Sequence, residues 1–200
     1  MPAAEYVPYL AISLIIWQAI AAFLQDACTA LSGAGPVIRQ IAMPVTVHVL
    51  RCLLRNALYA AHSLPLIPVV FAVFGIWPGA GAVAALAGIP LFAVAGFASA
   101  LALGILCARF RDIPPIVGNL TQLAFFLTPV LWLPEMLPPE ALPWLPLNPF
   151  YALLETVRAP LLGLAAGPEL WAAAIGWTTV LAAGAWLLFV RYRGRVPYWV

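Results

Sequence analysis

The sequence has no lysine, and its nine basic residues are all arginine; with seven acids they make up only 8% of the chain. So few charges cannot solvate the surface of a 200-residue soluble domain when 65% of the residues are apolar and mean hydropathy is +1.03. Catalytic signatures are also missing. There is no GxxxxGK[ST] loop, GxSxG elbow, HExxH pair or DxD-like metal pair. Cys28, Cys52 and Cys107 form no CxxC and no ligand spacing, which excludes a zinc site and a disulfide framework and leaves three inert thiols. His48 and His62 lie fourteen residues apart with no carboxylate at ligand spacing, so no metal is expected. Asn119-Leu-Thr121 matches a glycosylation sequon but falls inside an apolar run, a chance match. The opening MPAAEYVPYL lacks a basic n-region and a cleavage site, so the first apolar run reads as a retained span.

What is present is long apolar sequence. A bilayer about 30 Å thick requires about 20 apolar residues per helical crossing. Runs near 7–24, 45–76, 79–107, 114–133 and 169–190 predict an all-α polytopic membrane protein of about five spans in a single domain. The second run is too long for one simple crossing and holds His48, Arg51, Arg55 and Asn56 in its first half.

Threading five spans alternately puts Arg39, Arg51, Arg55, Arg109, Arg111, Arg191, Arg193 and Arg195 on one side and Arg158 alone on the other. By the positive-inside rule the C-terminus and the 25–44 and 108–113 connections are cytoplasmic, and the N-terminus lies outside. Asp26 and Asp112 are the only acids on the cytoplasmic side. Nucleic acid is not an expected partner.

Nine of the twenty prolines fall between Pro129 and Pro168, in a stretch also rich in Leu, Trp and Phe. Proline breaks helix, and apolar irregular backbone is tolerated at membrane depth only where protein or a wet cavity covers it. This predicts short re-entrant helices on the outer side. One is NPFYALLETVRAPLLG, with Asn148 as cap, Pro149 in the first turn and Pro160 near the end. Glu155 and Arg158, three apart, share a face and can pair, either as a functional lock or as an ion pair at headgroup level. Arg51 and Arg55 would repel unless they meet Asp26, Asp112, lipid phosphate or a partner protein. Gly96, Ala100 and Gly104 allow two helices to approach closely. Trp17, Phe125, Phe126, Trp132, Phe150 and Tyr151 fit either an interfacial belt or a platform for sugar rings.

The order of these features resembles the permease subunit of type-2 ABC exporters of the O-antigen, teichoic-acid and capsule group. The resemblance runs from EYVPYLAISLIIWQ through IRQIAMPVTVHVLRCLLRN and AHSLPLIP to VRYRGRVPYWV. It is most specific over CARFRDIPPIVGNLTQLAFFLTPVLWLPEMLP and LNPFYALLETVRAPLLG. It implies a homodimer in the bacterial inner membrane, bound to a separate cytoplasmic ATPase that carries ATP and magnesium, with no cofactor and no enzymatic step in this chain. It further implies a lipid-linked glycan as cargo. It assigns ATPase coupling to Asp26, Arg39, Arg109, Arg111 and Asp112, and an outer gate over 134–162 to Asn148, Pro149, Glu155 and Arg158. Family members usually carry an amphipathic helix and a first span before the YVPYL-like segment, so the resemblance implies that about sixty residues are missing ahead of it here. A non-transporting fragment is one alternative expectation, and an intramembrane sugar or acyl transferase is another.

Overall fold

The computed structural model describes residues 3–41 and 43–200. Met1 and Pro2 of the expected external N-terminus, and Ala42 of the 25–44 connection, lie outside the described residues. The structure is 81% helical, with no strand among the described residues. Among the described residues eight α-helices carry it: α1 (Ala3–Thr29), α2 (Gly35–Gln40), α3 (Val45–Ser63), α4 (Leu66–Phe74), α5 (Ala85–Arg109), α6 (Ile113–Leu127), α7 (Pro149–Leu161) and α8 (Pro168–Tyr192).

Among the described residues four helical stretches are long and apolar enough to cross a membrane: Glu5–Thr29, Val45–Phe74, Ala80–Arg109 and Pro168–Tyr192. That makes the chain a membrane protein by composition and helix length together. The boundaries differ from the apolar runs in instructive ways. α1 continues through Thr29, so Asp26 belongs to its last turn and not to the connection that follows. The long second run is two helices, parted at Leu64 and Pro65: Leu64 keeps helical dihedrals, φ −57° and ψ −36°, but Pro65 has no N–H to continue the hydrogen-bond ladder. The third begins as a 3₁₀ turn over Ala80–Ala84 that runs directly into α5.

The largest departure is at α6. The apolar run extends to 133, but the helix stops at Leu127 because Pro129 forces Thr128 into extended backbone, φ −93° and ψ 136°. Its 15 residues give about 22 Å of rise, short of a bilayer's roughly 30 Å. Two 3₁₀ turns, Pro134–Met136 and Leu142–Leu147, lead on to α7, as the proline density predicts.

α1 passes through both buried cores. One gathers Ile12, Ile16 and Trp17 of α1 with Ile67, Phe71, Val130 and Leu154. The other gathers Ala27 and Leu31 with Val49, Leu101, Ile105, Ala185 and Val196. In lipid, helices gain little from hiding apolar surface from one another, so close backbone approach matters more. Gly96 and Gly104 of α5 instead make room for side chains: a Cβ on Gly104 would sit 3.0 Å from the Leu31 side chain, and one on Gly96 would sit 3.0 Å from the Leu53 side chain. Gly88, two turns earlier, lies under α7.

Candidate functional site

The broken end of α6 leaves main-chain carbonyls with no helical partner, and burying them unpaired would cost about 1–3 kcal/mol each. Two tyrosines on one stripe of α1 answer this. Tyr6 donates to Leu131 O at 2.6 Å, and Tyr9 donates to Pro129 O at 2.8 Å and to Trp132 O at 3.0 Å. Trp132 Nε1 reaches back to Phe126 O at 3.0 Å, satisfying one of the last carbonyls of α6.

Arg158 of α7 completes the knot. Its side chain is 1% exposed, and its guanidinium is nearly saturated. Nε donates to Glu155 Oε2 at 2.8 Å, and Nη2 donates to the same oxygen. Nη1 donates to Ser13 Oγ of α1 at 2.8 Å and to Pro129 O at 2.6 Å. The guanidinium also lies 4.3 Å over the Tyr9 ring, where the negative aromatic face favours a cation. The Glu155–Arg158 pair expected from spacing therefore forms, and it also binds α1 and the broken end of α6 to α7.

Asn148 places that helix. Its Oδ1 accepts from Phe150 N at 2.9 Å and Tyr151 N at 3.3 Å, capping the first turn beside Pro149, while Nδ2 donates to Thr128 Oγ1 at 3.0 Å. The cap thus fixes the start of α7 to the residue where α6 stops. Burial pushes the Tyr151 phenol up to about 12, and nearby Glu155 adds to the rise, so this hydroxyl stays protonated.

The six aromatics do not act as one set. Trp17, Phe125 and Phe150 cluster in the core, with Trp17 ring centroids 5.6 Å from each of the other two. Tyr151 is buried as well. Phe126, 60% exposed, faces outward and, with Trp132, Trp144 and Phe150, lines an apolar cleft of about 600 Å³ between the end of α6 and the 3₁₀ turns.

The residues expected to couple to a partner share one end of the bundle but do not form one cluster. Asp26 is committed internally: it accepts from Arg55 Nε at 3.2 Å and Nη2 at 2.5 Å, from Asn56 Nδ2 at 2.5 Å and from Cys52 Sγ at 3.6 Å. This is the partner that Arg55 required, and it straps the end of α1 to α3. Arg39 donates to Val200 O at 3.2 Å. Arg109 lies between the rings of Phe110 and Trp199, at 5.2 and 5.9 Å. Arg111 and Asp112 are exposed in the turn before α6.

Tyr6, Tyr9 and Ser13 were not expected at the site. Their spacing of three and four residues puts them on one face in the first, mostly apolar half of α1, and that polar stripe is the signal that could have found them. Compared with protein-family models and with curated proteins, the chain matches none.

Proposed function

We propose that the chain is the membrane-embedded permease subunit of a type-2 ABC exporter for a lipid-linked polysaccharide, acting as a homodimer powered by a separate cytoplasmic ATPase. The observation that supports this best is the buried Arg158, because it holds together the elements on which the family resemblance places the outer gate. A buried ion pair contributes little net stability but penalises any arrangement that separates its partners, which suits a latch. Here the latch joins α1, the irregular segment after α6, and α7.

In this reading the chain crosses the inner membrane five times with its C-terminus in the cytoplasm. α6 makes the fourth crossing together with residues 128–133, which run on from extended Thr128 through turns and bends to extended Leu133. The subunit forms no covalent bond with its cargo. ATP-driven closure of the partner dimer moves the segment after α1. α1 carries that displacement outward, strapped to α3 through Asp26 at one end and to α7 through Ser13 and Arg158 at the other. Opening beneath α7 then exposes the cleft lined by Phe126, Trp132 and Trp144 to the glycan.

Affinity purification of the full chain from a host expressing its partners tests both halves of the proposal. A P-loop ATPase should co-purify with the wild type and equally with Arg158→Gln and Glu155→Gln, while both variants lose surface display of the glycan. A chain that never recruits an ATPase, or variants with undiminished display, would overturn the reading.

A further inference from the structure

One end of the bundle holds the C-termini of α1, α5 and α8 and the N-terminus of α3, and it carries a cation surplus that the fold leaves unspent. Arg109, Arg111, Arg191, Arg193 and Arg195 are exposed there, and none forms an ion pair among the described residues. The nearby acids do not neutralise them. Asp26 is saturated by Arg55 and Asn56, and Asp112 pairs with none of the five.

These arginines do not ride on a loose tail. After α8 the chain turns at residues 193–195 and folds back, with Val196 fully buried among Leu31, Val49 and Ile105. Trp199 packs on Tyr192 with centroids 5.6 Å apart and faces Arg109. Gly35 abuts the final residue so closely that a Cβ there would sit 3.2 Å from the Val200 carbonyl carbon, and Arg39 bonds the Val200 oxygen. The turn is therefore a preformed hook that holds Arg193 and Arg195 beside the end of α5.

We propose that this hook face binds the phosphates of anionic phospholipid headgroups. Depth selects lipid over a soluble partner. Arg109 is the last residue of α5, and Arg191 lies in the final turn of α8, so both sit where apolar helix gives way to headgroups. Phe110 is half exposed and Tyr198 is 86% exposed, and aromatic rings left open at this level favour the headgroup boundary over bulk water. Arginine suits phosphate through its planar fork of donors. The inference does not depend on the export reading.

The test uses the full chain incorporated into nanodiscs of equimolar phosphatidylglycerol and phosphatidylcholine, with the headgroup ratio read on the lipid that stays with the protein after extraction. The expected result is enrichment of phosphatidylglycerol that falls as ionic strength rises. Arg193→Gln with Arg195→Gln should cut the affinity about twenty-five-fold, at about fivefold per arginine. Val196→Ser keeps every arginine and unseats the hook, so it should weaken enrichment too; if that variant does not fold, the exposed arginine pair carries the test. Unchanged enrichment in the arginine pair would overturn the proposal. So would displacement of the lipid by soluble inorganic pyrophosphate at matched phosphate concentration, which would mark a small-anion site. Loss of a co-purifying protein with lipid selectivity intact would overturn it as well, by making the face a protein-docking surface.

Discussion

At the scale of single residues, Arg158 concentrates the consequences. Arg158→Met removes the guanidinium but leaves Glu155 half-buried without its cation, Ser13 Oγ without a donor, and Pro129 O with Tyr9 alone. Breaking one side of a buried pair costs about 3–5 kcal/mol, so thermal unfolding in detergent should fall steeply. Arg158→Lys should recover little, because a single ammonium cannot reproduce the fork that meets Glu155, Ser13 and Pro129 together. Near-wild-type melting of the lysine variant would show that charge alone suffices. Part of this site is legible from spacing: Glu155 and Arg158 share a helical face, and Asn148 with Pro149 announces a capped start. The rest is not, because Ser13 stands 145 residues from Arg158 and no local pattern encodes which helix will lie against α7. Only the stripe of Tyr6, Tyr9 and Ser13 hints that α1 has a polar errand.

At the scale of elements, packing turns on where side chains are absent. A Cβ on Gly88 would meet Thr156 Oγ1 and Val157 Cγ2 at 2.8 Å and the Thr156 carbonyl oxygen at 3.2 Å. The valine branch is stiff and the carbonyl is main chain, so Gly88→Ala must push α7 off α5. Gly176 and Gly184 of α8 meet nothing within 4 Å, and both are helical. Alanine there should stabilise by about 0.4–1 kcal/mol through the lost freedom of the unfolded chain. Detergent melting of Gly88→Ala beside Gly176→Ala reads the contrast directly, and equal melting would deny that α7 sits tightly on α5. Hydropathy marked the long helices well, since composition and length suffice for them. It placed the end of α6 six residues late, because Val130, Leu131 and Leu133 read as apolar whether or not Pro129 has already ended the helix. A proline's local veto outweighs the average over a window.

At the scale of the whole molecule, the number of times the chain crosses the bilayer turns on α6. α5 and α8 pack along each other with their C-termini at one end, as the contact of Arg109 with Trp199 requires. Between them the chain must return to the far end, and the proposed route is α6 followed by residues 128–133. The native thiols make this testable without removing them. Cys28, Cys52 and Cys107 are 1%, 3% and 4% exposed, so an impermeant maleimide should leave the folded protein unlabelled. Single cysteines can then report sidedness from open positions. Gly33 and Gly194 have free space around them, as does Gly81 before α5, and Glu140 is exposed in the segment before α7. In sealed vesicles, Gly33→Cys and Gly194→Cys should label from one face, and Gly81→Cys and Glu140→Cys from the other. If the short helix turned back without crossing, Glu140→Cys would label with Gly33→Cys, the knot around Arg158 would lie on the wrong side for an outer gate, and the five-crossing architecture would fall with it.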